Sequence, residues 1–211
     1  NHFISSFNIG NEPLANTLEH YESILTLMPL SYSTGIVHFR LGQIKARILQ
    51  DYTGANKSYE AALKSNPSQS LINKINLQVG EMLLLSGNFK EAEKYYKPVS
   101  NQNIEKNTVQ YLKSLLFQQN IDKSISFLDS VITELNPNHI LFNDLLEIHD
   151  LLISNYVDGT KDDKLALKLF FNAESLIYQN KNSEALSILE KIFSQHPEAL
   201  IRPLSSLRLA I

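Results

Sequence analysis

The chain contains no cysteine. Disulfide bonds, zinc sites with thiolate ligands and thiol catalysis are therefore excluded. No stretch reaches the roughly eighteen consecutive apolar residues that a membrane-spanning helix needs, so we expect no membrane insertion in this segment. The absence of cysteine leaves the compartment undetermined, because cytoplasmic proteins and exported bacterial proteins of the periplasm are both compatible with it.

Positive charge is scarce relative to negative charge. Lys and Arg number 19 and Asp and Glu number 22, which gives a formal net charge of -3. Because nucleic-acid binding needs a clustered surplus of cations, we expect no nucleic-acid partner. Hydrophobic residues make up 43% of the chain and charged residues 19%, which indicates a folded chain rather than a disordered one. The first residues, Asn1 to Ser5, resemble neither a signal peptide nor a native start, and we expect a piece of a longer protein.

The residue patterns of catalysis and cofactor binding are missing. The seven glycines are scattered and form no phosphate-binding loop, and the six histidines lack metal-ligand spacing. No serine lies in a strand–turn–helix elbow. We therefore predict no enzymatic activity and no catalytic, cofactor-binding or metal-binding residues.

Two polar features have structural explanations. The acidic stretch 158–163 lacks the ligand spacing of a calcium loop, and we expect a turn in which Asp162 or Asp163 caps the next helix. His196 precedes Pro197 and is expected at a helix end, whereas His149 is expected as a hydrogen-bonded core histidine.

What the chain does contain is an internal repeat. Polar turns are followed by a small residue that opens a helix, and these small residues are Ala55, Ala92, Ser124 and Ala185, separated by 37, 32 and 61 positions. The prolines that close the units are Pro29, Pro67, Pro137 and Pro197. The separations are multiples of about 34, with one insertion, which is typical of stacked helical repeats.

Apolar residues recur with helical period throughout. Ala185, Ile188, Leu189, Ile192 and Phe193 form one such stripe. Glycine, at Gly54 or Gly87, is expected where a helix stops. We predict eleven helices, near residues 12–28, 33–50, 53–65, 68–86, 88–99, 103–118, 121–135, 139–155, 162–179, 182–195 and 198–209.

The repeat resembles a known family. The set Val79-Gly80, Leu83, Gly87-Asn88-Phe89, Ala92, Tyr96 and Val99 is similar to the tetratricopeptide repeat, and residues 165–197 resemble it as well. The resemblance implies an all-α fold in which antiparallel helix pairs form a right-handed superhelix. The chain would be one solenoid with units at 12–29, 33–67, 69–102, 104–137 and 163–197, an extra helix at 139–155 and a partial unit at 198–211.

The resemblance also implies a concave groove that is lined by the first helix of each unit. In that register the groove-facing candidates are Phe39, Arg40, Gln43, Arg47, Lys74, Gln78, Glu81, Lys106, Gln110 and Lys113. Amides can bind a peptide backbone and cations can bind carboxylates, which favours an acidic or carboxyl-terminal segment as ligand. Of the five clamp positions used by chaperone-binding members, only Lys106 is retained, so we expect no chaperone-tail binding.

We therefore predict a protein-interaction scaffold of a bacterial repeat protein. One alternative is self-assembly, or an architectural role in a larger protein, through exposed apolar faces. A less favoured alternative is a carbohydrate-binding or enzymatic module, for which Phe170, Phe171 and Tyr178 are the nearest candidates.

Overall fold

A computed structural model describes residues 11–96 and 104–210, with side chains from residue 16 and, in the second range, from residue 106. The described residues form eleven α-helices and contain no β-strand, which confirms the predicted all-α class. Their bounds are α1 Asn11–Leu27, α2 Tyr32–Arg47, α3 Tyr52–Lys64, α4 Gln69–Leu85, α5 Phe89–Tyr96, α6 Ile104–Phe117, α7 Ile121–Glu134, α8 Phe142–Leu152, α9 Lys161–Tyr178, α10 Asn182–Gln195 and α11 Arg202–Leu209. Residues 97–99 of the fifth predicted helix lie outside the described residues.

Side-chain caps fix where several helices begin. Ser31 and Thr34 form a reciprocal capping box at the start of α2, and Asp51 accepts a hydrogen bond from the Gly54 amide at 2.8 Å at the start of α3. Such caps satisfy amide groups that have no partner inside the helix. Gly54 therefore lies within the first turn of α3, and the expectation that it ends a helix was wrong.

Helix ends rely on left-handed backbone, mostly without glycine. Gly87 has a φ of 80° after α4, as expected of a glycine that ends a helix. The equivalent positions after α2, α6 and α9 are Gln50, Gln119 and Asn180, with φ of 53°, 57° and 61°. These positions carry amide side chains where α4 is followed by glycine, and the three helix ends lie within a few residues of the predicted ends at 50, 118 and 179.

The contacts divide the chain into two compact units, with the boundary inside α4 between Met82 and Leu83. In the first unit α2 packs on α3, and the ring of Tyr59 fills a notch in α2 at Gly42. A Cβ atom at Gly42 would stand 2.5 Å from Cε1 of Tyr59, so only glycine permits this approach. Phe39, Leu41, Ala55 and Ile75 complete the buried centre of this unit.

The second unit contains a larger apolar cluster. Its fully buried members include Leu128 of α7, Leu145 and Leu152 of α8, Leu167 of α9 and Ile192 of α10. The small residues Ala92, Ser124 and Ala185 are buried, as is Ala55 in the first unit. Helices can approach closely where side chains are this small.

The inserted helix is shorter than predicted. It covers Phe142–Leu152 and continues as a π-helical turn, Ile153–Val157, instead of an α-helix to residue 155. The buried amide of Asn155 donates to the Leu151 carbonyl at 2.9 Å. The face of α8 that carries Leu145 and Leu152 packs into the core, whereas Leu146 is exposed.

The start of α9 corrects the predicted cap. Thr160 is the N-cap residue, and Asp163 is its partner three positions on, in a capping box. The physical reason is that Thr160 lies one residue before the helix and has the extended backbone that an N-cap needs, whereas Asp162 and Asp163 are already helical.

Candidate functional site

Three of the predicted residues form a polar stripe on α2. Arg40, Gln43 and Arg47 stand three and four positions apart, so they share one helix face. Arg40 and Arg47 are exposed, Gln43 is half-buried, and Nη1 of Arg40 donates to Oε1 of Gln43 at 2.9 Å. The helix contains three cations and no carboxylate. The third cation is Lys45, whose Nζ lies 3.9 Å from Oε1 of Glu22 of α1. The outward stripe is therefore basic.

A second stripe lies on α4 and meets the first through an ion pair. Lys74, Gln78 and Glu81 are four and three positions apart on one face. Nη2 of Arg47 lies 3.0 Å from Oε2 of Glu81, and Nε2 of Gln78 donates to the same oxygen at 3.3 Å. Lys74 is exposed. Of the seven predicted residues of the first unit, Phe39 and Gln78 are buried, because neighbouring helices cover them. The other five belong to one polar surface, which we call the α2–α4 surface, and Gln78 contributes to it through its hydrogen bond to Glu81.

Phe39 occupies a different position from the one predicted. It is buried, and its ring centroid lies 6.1 Å from that of Tyr59. The guanidinium of Arg40 lies over the same ring at 5.9 Å. A large apolar side chain gains more from burial between α2 and α3 than from exposure in a groove. Phe39 therefore lies in the core beneath Arg40 and is not part of the polar surface.

Tyr59 is a residue of the site that the sequence did not reveal. Its hydroxyl is buried and has no hydrogen-bond partner in the part of the chain that the structure describes. Burial raises the pKa of Tyr59 well above its usual range, while the charge of Arg47 opposes that increase and Glu81 adds to it. The phenol thus lies within electrostatic range of the ion pair. The sequence signal that could have indicated it is Gly42, a glycine inside the predicted helix 33–50, because such a glycine leaves room for a large side chain of another helix.

The three remaining candidates lie on α6 in the second unit. Lys106 is exposed, and Nζ of Lys113 lies 5.1 Å from the ring centroid of Tyr178 of α9. Gln110 is buried, and its Oε1 has no hydrogen-bond partner among the described residues. The ring of Phe117 contacts Tyr178 at 5.7 Å and Phe89 at 5.3 Å. This face of α6 is therefore a mixture of aromatic and cationic groups.

Two histidines outside these surfaces have structural roles. His196 caps the carboxyl end of α10, and its Nδ1 lies 2.5 Å from Oδ1 of Asp162. His149 is half-buried, with Nε2 at 2.9 Å from Oδ1 of Asp129. Within residues 16–96 and 106–210, no three histidine, aspartate or glutamate side chains are grouped so that they could hold a metal ion.

Phe170 and Phe171 do not form a pocket. Both rings are buried in the apolar cluster and contact each other edge to face at 5.6 Å. Tyr178 is the partly exposed member of the three, and its ring is in contact with Lys113 and Phe117. A carbohydrate platform needs exposed aromatic faces, so these residues offer no support for one.

Fold and site together define an all-helical protein with polar surfaces in each of its two units. None of the helices in the described ranges has the length and apolar character needed to cross a membrane. In comparisons with known proteins, no family model, no curated protein and no solved structure matches the chain.

Proposed function

We propose that this protein is an interaction scaffold of the tetratricopeptide type, in which antiparallel helix pairs stack as a right-handed superhelix. Support for the repeat comes from contacts between residues 34 positions apart. Arg47 pairs with Glu81, Asp162 with His196, and Glu174 with Arg208, each across a separation of 34. A separation that equals the sequence repeat is expected where successive units present equivalent positions to each other.

The proposed ligand is an acidic polypeptide segment bound to the α2–α4 surface. The observation that carries this proposal is the stripe of Arg40, Gln43 and Arg47 on α2, which the Arg47–Glu81 ion pair joins to the stripe of α4 that carries the exposed Lys74. The opposite faces of both helices are buried. Helices fixed in this way hold their polar side chains at constant spacing, so little ordering is needed when an extended segment binds. Guanidinium groups bind carboxylates in bidentate fashion, and the amide of Gln43 can bind a peptide group.

The test is binding of a fluorescein-labelled polyaspartate peptide, measured by fluorescence anisotropy at low salt. In the double variant Arg40→Gln, Lys74→Gln we expect affinity to fall about 5- to 30-fold, because two exposed ion pairs contribute roughly 0.5–1 kcal/mol each. The matched control is Lys57→Gln, Lys64→Gln, which removes the same charge from exposed positions of α3. Equal losses in both variants, or no binding by the unmodified chain, would refute the proposal.

Self-association is the second candidate, and one observation favours it. At the end of the second unit Leu200 and Leu207 are exposed by 58% and 62%, next to a shallow groove lined by Phe193, Pro197 and Pro203. Exposed apolar patches mark contact sites in many proteins. Light scattering should then give a dimer mass that Leu207→Glu reduces to the monomer, and a concentration-independent monomer mass would exclude this mode.

A further inference from the structure

The ion pair on the α2–α4 surface already places a carboxylate where the proposed ligand would place one. Oε2 of Glu81 accepts from Nη2 of Arg47 at 3.0 Å and from Nε2 of Gln78 at 3.3 Å. Glu81 thereby uses both kinds of donor, guanidinium and amide, that an acidic segment would require. Its side chain is 26% exposed and that of Arg47 is 43% exposed, so solvent and ligands reach the pair.

We propose that Glu81 is an internal competitor, whose carboxylate occupies the ligand's position at Arg47 and must be displaced when an acidic segment binds. The inference rests on the proposed function and adds to it a residue that sets affinity and selectivity. A ligand with isolated carboxylates competes poorly with a side chain that is tethered beside the guanidinium. A ligand with several neighbouring carboxylates reaches Arg40 and Lys74 as well, and so compensates for displacing Glu81.

The exposure of the pair sets the size of the effect. Ion pairs between exposed side chains are weak, and opening one reduces a binding constant by no more than about fivefold. Replacing Glu81 by glutamine also removes a negative charge that repels the ligand, which adds a salt-dependent contribution. We therefore expect Glu81→Gln to tighten polyaspartate binding about three- to tenfold, with most of the gain lost at high salt.

The matched control is Glu60→Gln on α3. Glu60 is exposed and accepts a hydrogen bond from Asn56 on its own helix, so this variant changes the net charge equally without affecting Arg47. A double-mutant cycle with Arg47→Gln then isolates the coupling, because removal of Glu81 should matter much less when its partner is absent. Circular dichroism establishes that each variant keeps its helices.

The test is a set of anisotropy titrations with polyaspartate on the unmodified chain and four variants. The variants are Glu81→Gln, Glu60→Gln, Arg47→Gln and the double variant Arg47→Gln, Glu81→Gln. The inference predicts tighter binding for Glu81→Gln, no comparable change for Glu60→Gln, and a clearly smaller gain in the Arg47→Gln background. Binding that is equal in the unmodified chain and Glu81→Gln, or a gain of undiminished size without Arg47, overturns the inference alone. Absence of polyaspartate binding in every variant overturns the proposed function as well, so the two failures are distinguishable.

Discussion

The carboxylate of Asp163 offers a sharp test of how the second unit is held together. Asp163 is 5% exposed, and its side chain accepts three hydrogen bonds. Oδ2 accepts from the amide of Thr160 at 2.9 Å and from its hydroxyl at 2.7 Å, and Oδ1 accepts from the amide of Leu200 at 2.9 Å. One carboxylate thus completes the capping box of α9 and fixes the segment between α10 and α11.

We expect Asp163→Ala to destabilise the chain by about 2–3 kcal/mol at neutral pH. Loss of the capping-box partner costs about 1 kcal/mol, and loss of the hydrogen bond between the charged carboxylate and the Leu200 amide adds about 1–2 kcal/mol. The measurement is urea denaturation followed by circular dichroism, with hydrogen exchange of the Leu200 amide as a local probe. Asp158→Ala, which removes an exposed carboxylate from the preceding turn, should change the free energy of unfolding by less than about 0.5 kcal/mol.

The effect should depend on pH in a defined direction. Hydrogen bonds from Thr160 and from the Leu200 amide hold the pKa of Asp163 below its ordinary value of 3.8. A carboxyl whose pKa is lowered by folding stabilises the folded state above the unfolded pKa, and this contribution is lost as pH falls through the folded pKa. The deficit of Asp163→Ala should therefore be complete at pH 7 and shrink below about pH 3.8. An unchanged exchange rate at Leu200 in the variant would refute the assigned role.

Three further substitutions test the packing of individual helices. Ala92→Leu should lower the free energy of unfolding by about 1–3 kcal/mol, because it overpacks a fully buried position. The control is Lys90→Leu, which adds the same side chain on the exposed side of α5. A melting temperature of Ala92→Leu that equals or exceeds that of the control would contradict the prediction. Gly42→Ala should destabilise the fold despite the better helix propensity of alanine, because its Cβ would stand 2.5 Å from the Tyr59 ring. A higher urea midpoint would contradict this and would show that α2 and α3 can move apart freely. Tyr59→Phe should be neutral or should stabilise the fold by up to about 1 kcal/mol, since it removes a buried hydroxyl that has no partner among the described residues. A decrease of more than about 1 kcal/mol in the free energy of unfolding would instead indicate a hydrogen bond at that hydroxyl.

The proposed superhelix predicts more than the positions of the helices. If equivalent positions contact each other at a separation of 34, then breaking the Glu174–Arg208 pair with Arg208→Gln should loosen α11 selectively. Hydrogen exchange should show faster opening of residues 202–209 while α9 keeps its protection. Uniformly faster exchange across α9, α10 and α11 would contradict a nearest-neighbour repeat architecture.

Local sequence patterns were sufficient to locate the helices. All eleven predicted helices are present within a few residues of their predicted bounds, because apolar spacing, polar turns and prolines act over distances shorter than one helix. The small residues at 55, 92, 124 and 185, which the sequence places after polar turns, lie near the starts of α3, α5, α7 and α10, and all four are buried. Even at α9, where the cap was predicted at Asp162 or Asp163 and is Thr160, the predicted start of the helix differs from the observed one by a single residue.

Tertiary structure decided which polar side chains are available and what they pair with. Phe39 and Gln78 belong to predicted outward stripes, yet both are buried because neighbouring helices cover them. Arg47 meets Glu81, and Asp163 meets Leu200, across separations of 34 and 37 residues that no local pattern specifies. The sequence by itself therefore determined an all-helical chain with a basic α2. Only the packed helices determined that one of its arginines is already bound to a carboxylate, since that contact depends on how distant segments are brought together.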